Sequence, residues 1–361
     1  MSVPLSRPPV DDEIKAAVLA AIDSRRYILG PECKAFEQEF ARYIGTRHAV
    51  LTSSATAAIW MTLRALGVKP DDEVLVPSHT AFPTVEAICF SGAVPVFVDI
   101  DDVSYTVNLT DAAEKLSART VGFVPVHLYG HPADLAGIGR LCTERGLWLL
   151  EDCAQAHGAA WRGRKVGSFG RAGVFSFYPS KNLTVMGDGG LLVTDDDDVA
   201  ARCRRLRDHG RLNKDVHAEV GFNLRFNDIQ AAVGRVLLRR LDAMNERRRA
   251  LAARYRAGLA GLPLILPEEA PSARHVYHLY VIRTPERDAL ARFLEPRGIA
   301  TGIHYPVPSH KQPALEHLNP PVLPVTERVV GEILTLPISA GHTEAEVDLV
   351  VAAVKEFFRA R

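Results

Sequence analysis

The residues best suited to chemistry lie between Leu147 and Thr194. Leu147 to Leu150 is an apolar run long enough for a buried strand, and Glu151 and Asp152 follow at its carboxyl end, where open α/β sheets place ligands. Ala172 to Phe177 reads as a second strand. Tyr178-Pro179-Ser180 breaks it, and Lys181 sits in the turn before Gly187-Asp188-Gly189-Gly190 and a third strand, Leu191 to Thr194. Neighbouring strands thus bring a carboxylate and an amine toward one crevice. That pairing suits pyridoxal phosphate: the lysine forms a Schiff base with the aldehyde, and the aspartate keeps the pyridine nitrogen protonated so that the ring accepts electrons. A salt bridge between a strand-terminal acid and a solvated lysine accounts for the same spacing.

The elements around these residues follow from periodicity and punctuation. Ala49 to Leu51 is a short strand, and Thr52-Ser53-Ser54-Ala55-Thr56 leads into a helix running to about Leu66. Small hydroxyl residues there serve either as an ordinary N-cap or as an anion site at the helix N-terminus. Glu73 to Val76 and Val94 to Val98 read as strands around a helix from Pro83 to Ser91, and this β-α-β alternation argues for a mainly parallel sheet covered by helices. Val121 to Val126 is another strand, and His127 and His131 beyond it are read as structural hydrogen bonders. Upstream, residues 1 to 9 are proline-rich and extended, with amphipathic helices expected over Asp11 to Ser24 and Cys33 to Ile44. Downstream, a helix runs from near Asp228 to about Leu259, and composition turns proline-rich near Leu262 to Pro271. A strand over His275 to Arg283, a helix over Arg287 to Arg297, and a loop and strand over Gly298 to His304 then form a smaller α/β domain. The expected division is an N-terminal arm (1–30), a large domain (31–240) and a small C-terminal domain (241–361).

Bulk composition narrows the function. Lys plus Arg (43) equals Asp plus Glu (43) over 361 residues, so no net field favours nucleic acid or an acidic membrane surface. Arg239, Arg240 and Arg247 to Arg249 are read as the solvated face of their helix. The five cysteines lack the close pairs of a zinc or redox motif and read as reduced, packed thiols, Cys153 beside Asp152 included. No metal site is expected. With no export signal or membrane-length apolar run, a cytoplasmic protein without membrane or nucleic-acid partners is expected.

The segments EDCAQAHGA, VGSFG, FSFYPSKN and GDGG, in this order and spacing, closely resemble the DegT/DnrJ/StrS family of pyridoxal-phosphate sugar aminotransferases. The resemblance extends through ALGVKPDDEVLVPSHTAF, PVFVDID, PVHLYGHPADL, LRDHG, FNLRFNDIQAAVG and TGIHYPVPSH. It implies a fold-type-I, aspartate aminotransferase-like enzyme: a large α/β/α domain with a mainly parallel mixed sheet, plus the smaller C-terminal α/β domain. It also implies a homodimer with shared active sites, with the N-terminal arm packed against the partner. By matching positions, Lys181 and Asp152 are catalytic. Thr56, Ala57 and Ser176 contact the cofactor phosphate, Phe82 stacks on the pyridine, and Gln155 approaches the phenolic oxygen. Asn223 reaches the phosphate across the dimer interface. Arg225, His304, Tyr305 and His310 face substrate. His157 either supports the ring from behind or simply packs. The implied cofactor is pyridoxal 5'-phosphate, cycling with its pyridoxamine form. L-glutamate is the implied donor and a nucleotide-linked ketosugar the acceptor, best matched by a dTDP-3-keto-6-deoxyhexose. A 4-keto sugar nucleotide, a keto-cyclitol acceptor, or a non-catalytic regulator that binds cofactor or sugar are the alternatives. Ala55 stands where the family usually has glycine, and Thr184-Val185-Met186 where relatives have smaller residues.

Overall fold

The computed structural model describes residues 2–360; Met1 of the expected arm and Arg361 of the expected small domain lie outside the described residues. In chain order, α1 (Asp12–Asp23) and α2 (Pro31–Ile44) precede β1 (His48–Thr52), α3 (Ala55–Ala65), β2 (Glu73–Pro77), α4 (Phe82–Phe90) and β3 (Val94–Val98). Then come α5 (Leu109–Glu114), β4 (Thr120–Phe123), α6 (Leu135–Arg145) and β5 (Trp148–Asp152). A small hairpin, β6 (Ala160–Trp161) and β7 (Arg164–Lys165), leads to β8 (Ala172–Ser176), β9 (Gly190–Thr194), α7 (Asp197–Leu206) and α8 (Asp228–Leu259). The chain ends with β10 (Ala273–Arg274), β11 (Tyr280–Arg283), α9 (Arg287–Leu294), α10 (Pro324–Glu332), β12 (Ile333–Leu336) and α11 (Glu344–Arg359).

Seven strands form the main sheet in the order β1-β9-β8-β5-β4-β2-β3. The run from β8 to β3 is parallel, whereas β9 lies antiparallel to both β8 and β1. A sheet buried on both faces needs apolar residues at successive positions, and β2, β8 and β9 supply them. Side chains alternate between two cores: Phe175, Leu191 and Val193 pack with Phe36, Phe40 and Phe177 on one face. Val174, Leu192 and Leu150 pack with Ala58, Met61 and Val85 on the other. The mainly parallel mixed sheet covered by helices is the architecture expected from the β-α-β alternation.

A second, antiparallel pair, β11 with β12, carries a separate core with α9, α11 and the distal half of α8. Along the continuous helix α8, Val233 to Leu241 belong to the large core, whereas Leu251, Ala252 and Tyr255 belong to the small one. The change of core therefore falls within one helix. The extended N-terminal segment reaches the same small core through Val3, which bridges Ile299.

Three expectations differ in detail. β4 ends at Phe123, because Pro125 has no N–H for the ladder, and only Val126 bridges onward to Asp152. Of the expected strand over His275 to Arg283 only Tyr280 to Arg283 pairs as a strand, β11, and β10 lies just before the expected start. Between them, the carbonyls of Val276, Tyr277 and His278 accept instead from the side chains of Asn182 and Arg248. Gly298 to His304 holds only isolated bridges at Ile299 and Gly302. The arginines of α8 are also less solvated than expected. Arg239 and Arg240 pair with Glu13 and Asp11, Arg247 with Glu344 and Arg249 with Glu269, while Arg248 is buried. They cross-link elements rather than forming a free basic stripe.

Candidate active site

The carboxyl ends of β5 and β8, the loop to β9 and the start of α3 enclose a cavity of about 230 Å³. Its walls include Ser54, Ala55, Thr56, Thr84, Asp152, Gln155, Ser176, Tyr178, Lys181 and Asp188. Roomier depressions beside the β6–β7 hairpin (about 670 Å³) and around Asp101 and Glu269 (about 460 Å³) contain neither Asp152 nor Lys181. The smaller cavity thus holds the chemically distinctive groups.

Asp152 ends β5 and is 2% exposed. Thr84 Oγ1 donates to its Oδ2 (2.7 Å) and the Ala154 amide to its Oδ1 (2.9 Å). No arginine or lysine forms an ion pair with it among the described residues, so a buried carboxylate faces the cavity with lone pairs to spare. Lys181 stands in the same cavity. Burial lowers its amine from the ordinary value to about 8, against an opposing pull from Asp152.

The lysine is held from behind by its neighbour. Asn182 Nδ2 donates to Asn245 Oδ1 (2.9 Å) and to the Val276 carbonyl (3.1 Å), and Asn245 Nδ2 donates to the His157 carbonyl (2.8 Å). Both carbonyls can only accept, which fixes the orientation of both amides. Asn182 Oδ1 is then an acceptor for His278 Nδ1 (3.3 Å). Lys181 is thereby anchored to α8 and to the entry of the small domain.

At the other end, Ser54 caps α3 by accepting from the Ala57 amide (3.1 Å). The amides of Ala55 and Thr56, in the first turn, have no intrahelical acceptor and line the cavity. The glycine hairpin makes room for this cradle: a Cβ on Gly190 would lie 2.3 Å from the Ser54 carbonyl carbon and 2.4 Å from the Ala55 nitrogen. The cap takes only the Ala57 amide, so the two alternatives in the sequence are compatible.

Gln155 Oε1 accepts from the Tyr129 amide (2.7 Å), and Gln155 Nε2 donates to Tyr305 Oη (2.9 Å). Ser176 is also in the wall. Ala57 and Phe82 adjoin it in sequence but are absent from the lining; Phe82 packs on the core, and the Ala57 amide is occupied by its cap. His304 bonds Thr335 Oγ1 through Nδ1 (2.8 Å). His310 is buried between Ser78 Oγ (2.5 Å) and Glu327 (3.1 Å), away from the cavity wall. Asn223 is exposed and accepts from Arg225 (2.9 Å), which also pairs with Asp208 (3.2 Å). Neither reaches the cavity of its own chain. His157 is fully buried against Phe175 and Phe177, and burial lowers its pKa to about 3, with Lys181 second.

His127 and His131 are structural, as read: His127 bridges Glu151 (3.1 Å) and the Ala133 amide (3.0 Å), and His131 joins the Pro132 carbonyl to the Ala270 amide. His127, Glu151 and Cys153 cluster, but the imidazole uses both nitrogens in these bonds and burial raises the Cys153 thiol well above its ordinary value. Sequence reasoning missed Thr84, Asn182 and the role of Glu151, whose carboxylate gathers the Gly167, Phe169 and Gly170 amides of the VGSFG loop. The only signals were a hydroxyl two residues beyond Phe82, an amide beside Lys181 and a second acid at a strand end.

The profile of the DegT/DnrJ/EryC1/StrS aminotransferase family matches residues 8–355. The chain belongs to this family. Within it, a dTDP-3-amino-3,4,6-trideoxy-alpha-D-glucose transaminase of Streptomyces venezuelae is 45% identical over 348 residues, 96% of this chain and 92% of the relative. A UDP-N-acetyl-3-dehydro-alpha-D-glucosamine 3-aminotransferase of Acidithiobacillus ferrooxidans is 40% identical, over 96% of this chain and 94% of the relative. The crystal structure of S. venezuelae DesV in complex with a ketimine intermediate is 43% identical and superposes with a TM-score of 0.93 over 98% of each chain. Membership implies dependence on pyridoxal phosphate. The cavity fits that group: a buried carboxylate lacking a cation, an amine with a lowered pKa and free helix-end amides match its pyridine nitrogen, aldehyde and phosphate. No helix among the described residues is long and apolar enough to cross a membrane.

Proposed function

We propose that the protein transfers the amino group of L-glutamate to carbon 3 of a dTDP-linked 3-keto-6-deoxyhexose, in amino-sugar biosynthesis. The observation that carries this reading is a cavity shared by Lys181 and the cation-free Asp152, in a chain 45% identical to a dTDP-3-amino sugar transaminase. Bound there, pyridoxal phosphate supplies an aldehyde for the amine and a ring that withdraws electrons from the carbon losing its proton. Asp152, itself buried from water, balances the charge of the pyridine nitrogen. Ala55 and Thr56 present amides to the phosphate, with Ser176 beside them. Lys181 Nζ takes and returns the proton, and a pKa near 8 leaves both forms accessible at neutral pH.

Thr56, Ala57, Phe82, Gln155 and Ser176 complete the cofactor side of this reading. His304, Tyr305, Arg225 and His310 belong to its substrate side, with His310 acting from behind by fixing Ser78. Asn223 acts in trans within a homodimer. Its exposure on a segment with the exposed apolar residues Val220 and Phe222, close to exposed Tyr27 and Ile28, supports that assembly. The arm 1–30, large domain 31–240 and small domain 241–361 are kept as part of this reading, supported by the change of core within α8 between Leu241 and Leu251. A UDP-N-acetyl 3-keto sugar is the second acceptor reading, because the A. ferrooxidans relative carries that name.

The test charges the protein with L-glutamate, removes it, and adds 3-keto and 4-keto dTDP-6-deoxy sugars separately. Recovery of the original cofactor absorbance with the 3-keto sugar alone is expected. Recovery with the 4-keto sugar alone would overturn the position, and recovery with neither would overturn the dTDP acceptor.

A further inference from the structure

Two buried residues outside the cavity wall, His79 and Tyr129, are 1% and 3% exposed and have no part in the mechanism above. Tyr129 Oη donates to the His304 carbonyl, which can only accept. The same oxygen must therefore accept from His79 Nε2, 2.7 Å away. That assigns the His79 proton to Nε2 and leaves Nδ1 as a bare lone pair without a partner. The imidazole is neutral: burial pushes its pKa down to about 3, with His304 contributing second.

The backbone of Tyr129 orients a second, separate pair of hydrogen bonds. Its amide donates to Gln155 Oε1 (2.7 Å), so the Gln155 amide is oriented with Nε2 outward, toward Tyr305 Oη (2.9 Å). Since an amide nitrogen can only donate, the Tyr305 oxygen accepts. Its own hydroxyl hydrogen then has no acceptor among the described residues. Burial holds this phenol at about 12, so it remains protonated at neutral pH. One hydrogen of the Gln155 amide is likewise left over, on a residue that lines the cavity. Tyr129 thus grips both ends of the arrangement, Gln155 in the large domain and the His304–Tyr305 segment from the small-domain side.

We propose that Tyr129, held in place by His79, is a positioning residue: its hydroxyl holds the His304–Tyr305 segment while its amide fixes the Gln155 orientation that leaves Tyr305 a donor, so that Tyr305 selects an acceptor oxygen on the bound sugar. The inference rests on the aminotransferase reading above. A ligand group that could only donate at this point would meet two donors and be rejected.

The experiment is a double-mutant cycle in cofactor-loaded protein with the 3-keto dTDP sugar, using Tyr129→Phe, Tyr305→Phe and the pair. It reads kcat/KM of the sugar half-reaction and the Kd of the dTDP-amino sugar product by calorimetry, with the glutamate half-reaction as control. Loss of one such bond is expected to weaken both sugar readouts by up to about tenfold in each single variant. The pair should be no worse than Tyr305→Phe, because Tyr129 acts through Tyr305. His79→Gln, which keeps a donor nitrogen at the end of its side chain, should remain near wild type, whereas His79→Leu should match Tyr129→Phe. Losses that multiply in the pair, an equal loss in the glutamate half-reaction, or indistinguishable Gln and Leu variants at His79 would overturn the inference alone. A wild type that neither binds nor turns over a sugar nucleotide would overturn the aminotransferase reading with it.

Discussion

Replacing Lys181 by Met in cofactor-free protein should change the pH dependence of stability in a calculable way. Burial places the folded-state pKa of the amine near 8, below the 10.5 of an exposed lysine. The unfolded chain therefore holds its proton more tightly. The penalty for burying the ammonium is fully present below pH 8 and is relieved as pH rises toward 10.5. A shift of 2.5 units, 10.5 minus 8, corresponds to roughly 3 kcal/mol, of which about 2 kcal/mol should be recovered between pH 7 and 9.5. The assay is urea denaturation of wild type and Lys181→Met at several pH values across that window. Taking the difference between them cancels the titration of other groups, and the loss of packing or of the longer-range pull from Asp152 adds an offset that varies little with pH. Wild type should gain on the variant by about 2 kcal/mol as pH rises. A gap that stays constant, or one that closes in the opposite direction, would refute an amine held near 8 by burial.

Other substitutions probe separate parts of the site. Gly190→Ala drives a Cβ into the Ser54–Ala55 backbone and should cost about 1–3 kcal/mol in denaturation while weakening pyridoxal phosphate binding in a fluorescence titration. Asp152→Asn can keep the Ala154 N–H on its oxygen and turn its NH2 toward Thr84 Oγ1, which then accepts and donates to Thr80 Oγ1, so stability should change little in denaturation. Turnover should fall on the order of a hundredfold with the lost charge. Asn223→Ala, at an exposed position, should leave stability unchanged and speed cofactor loss on dialysis. Refolding it together with Lys181→Ala chains should restore roughly a quarter of wild-type activity, because random pairing gives one intact site in half of the dimers. No recovery would contradict a contact made in trans.

What was legible in the sequence was largely local. β3 has the expected bounds, and α8 runs from Asp228 to Leu259 as read, because an apolar period and clear breakers fix such elements without help from elsewhere. His275 to Leu279 misled for a physical reason: an apolar, aromatic run looks like a strand, but its carbonyls are taken by Arg248 and Asn182, and no periodicity announces that. The same limit applies to the site. Asp152 and Lys181 stood out by type and by position at strand ends. Thr84, Asn182 and Glu151 did not, since a support residue is defined by what it touches. Orientation was invisible as well: the donor orders at His79 and at Tyr305 depend on which neighbours can only accept or only donate, a property of the folded chain.

The central claim is that the cavity between Asp152 and the α3 N-terminus holds pyridoxal phosphate through Lys181. Borohydride reduction of cofactor-loaded protein, followed by proteolysis and peptide mass spectrometry, tests it most directly. The account predicts a phosphopyridoxyl mass on the peptide containing Lys181 and none on any peptide of Lys181→Ala. The same mass on a different lysine of the wild-type chain, or its retention in Lys181→Ala, would contradict it.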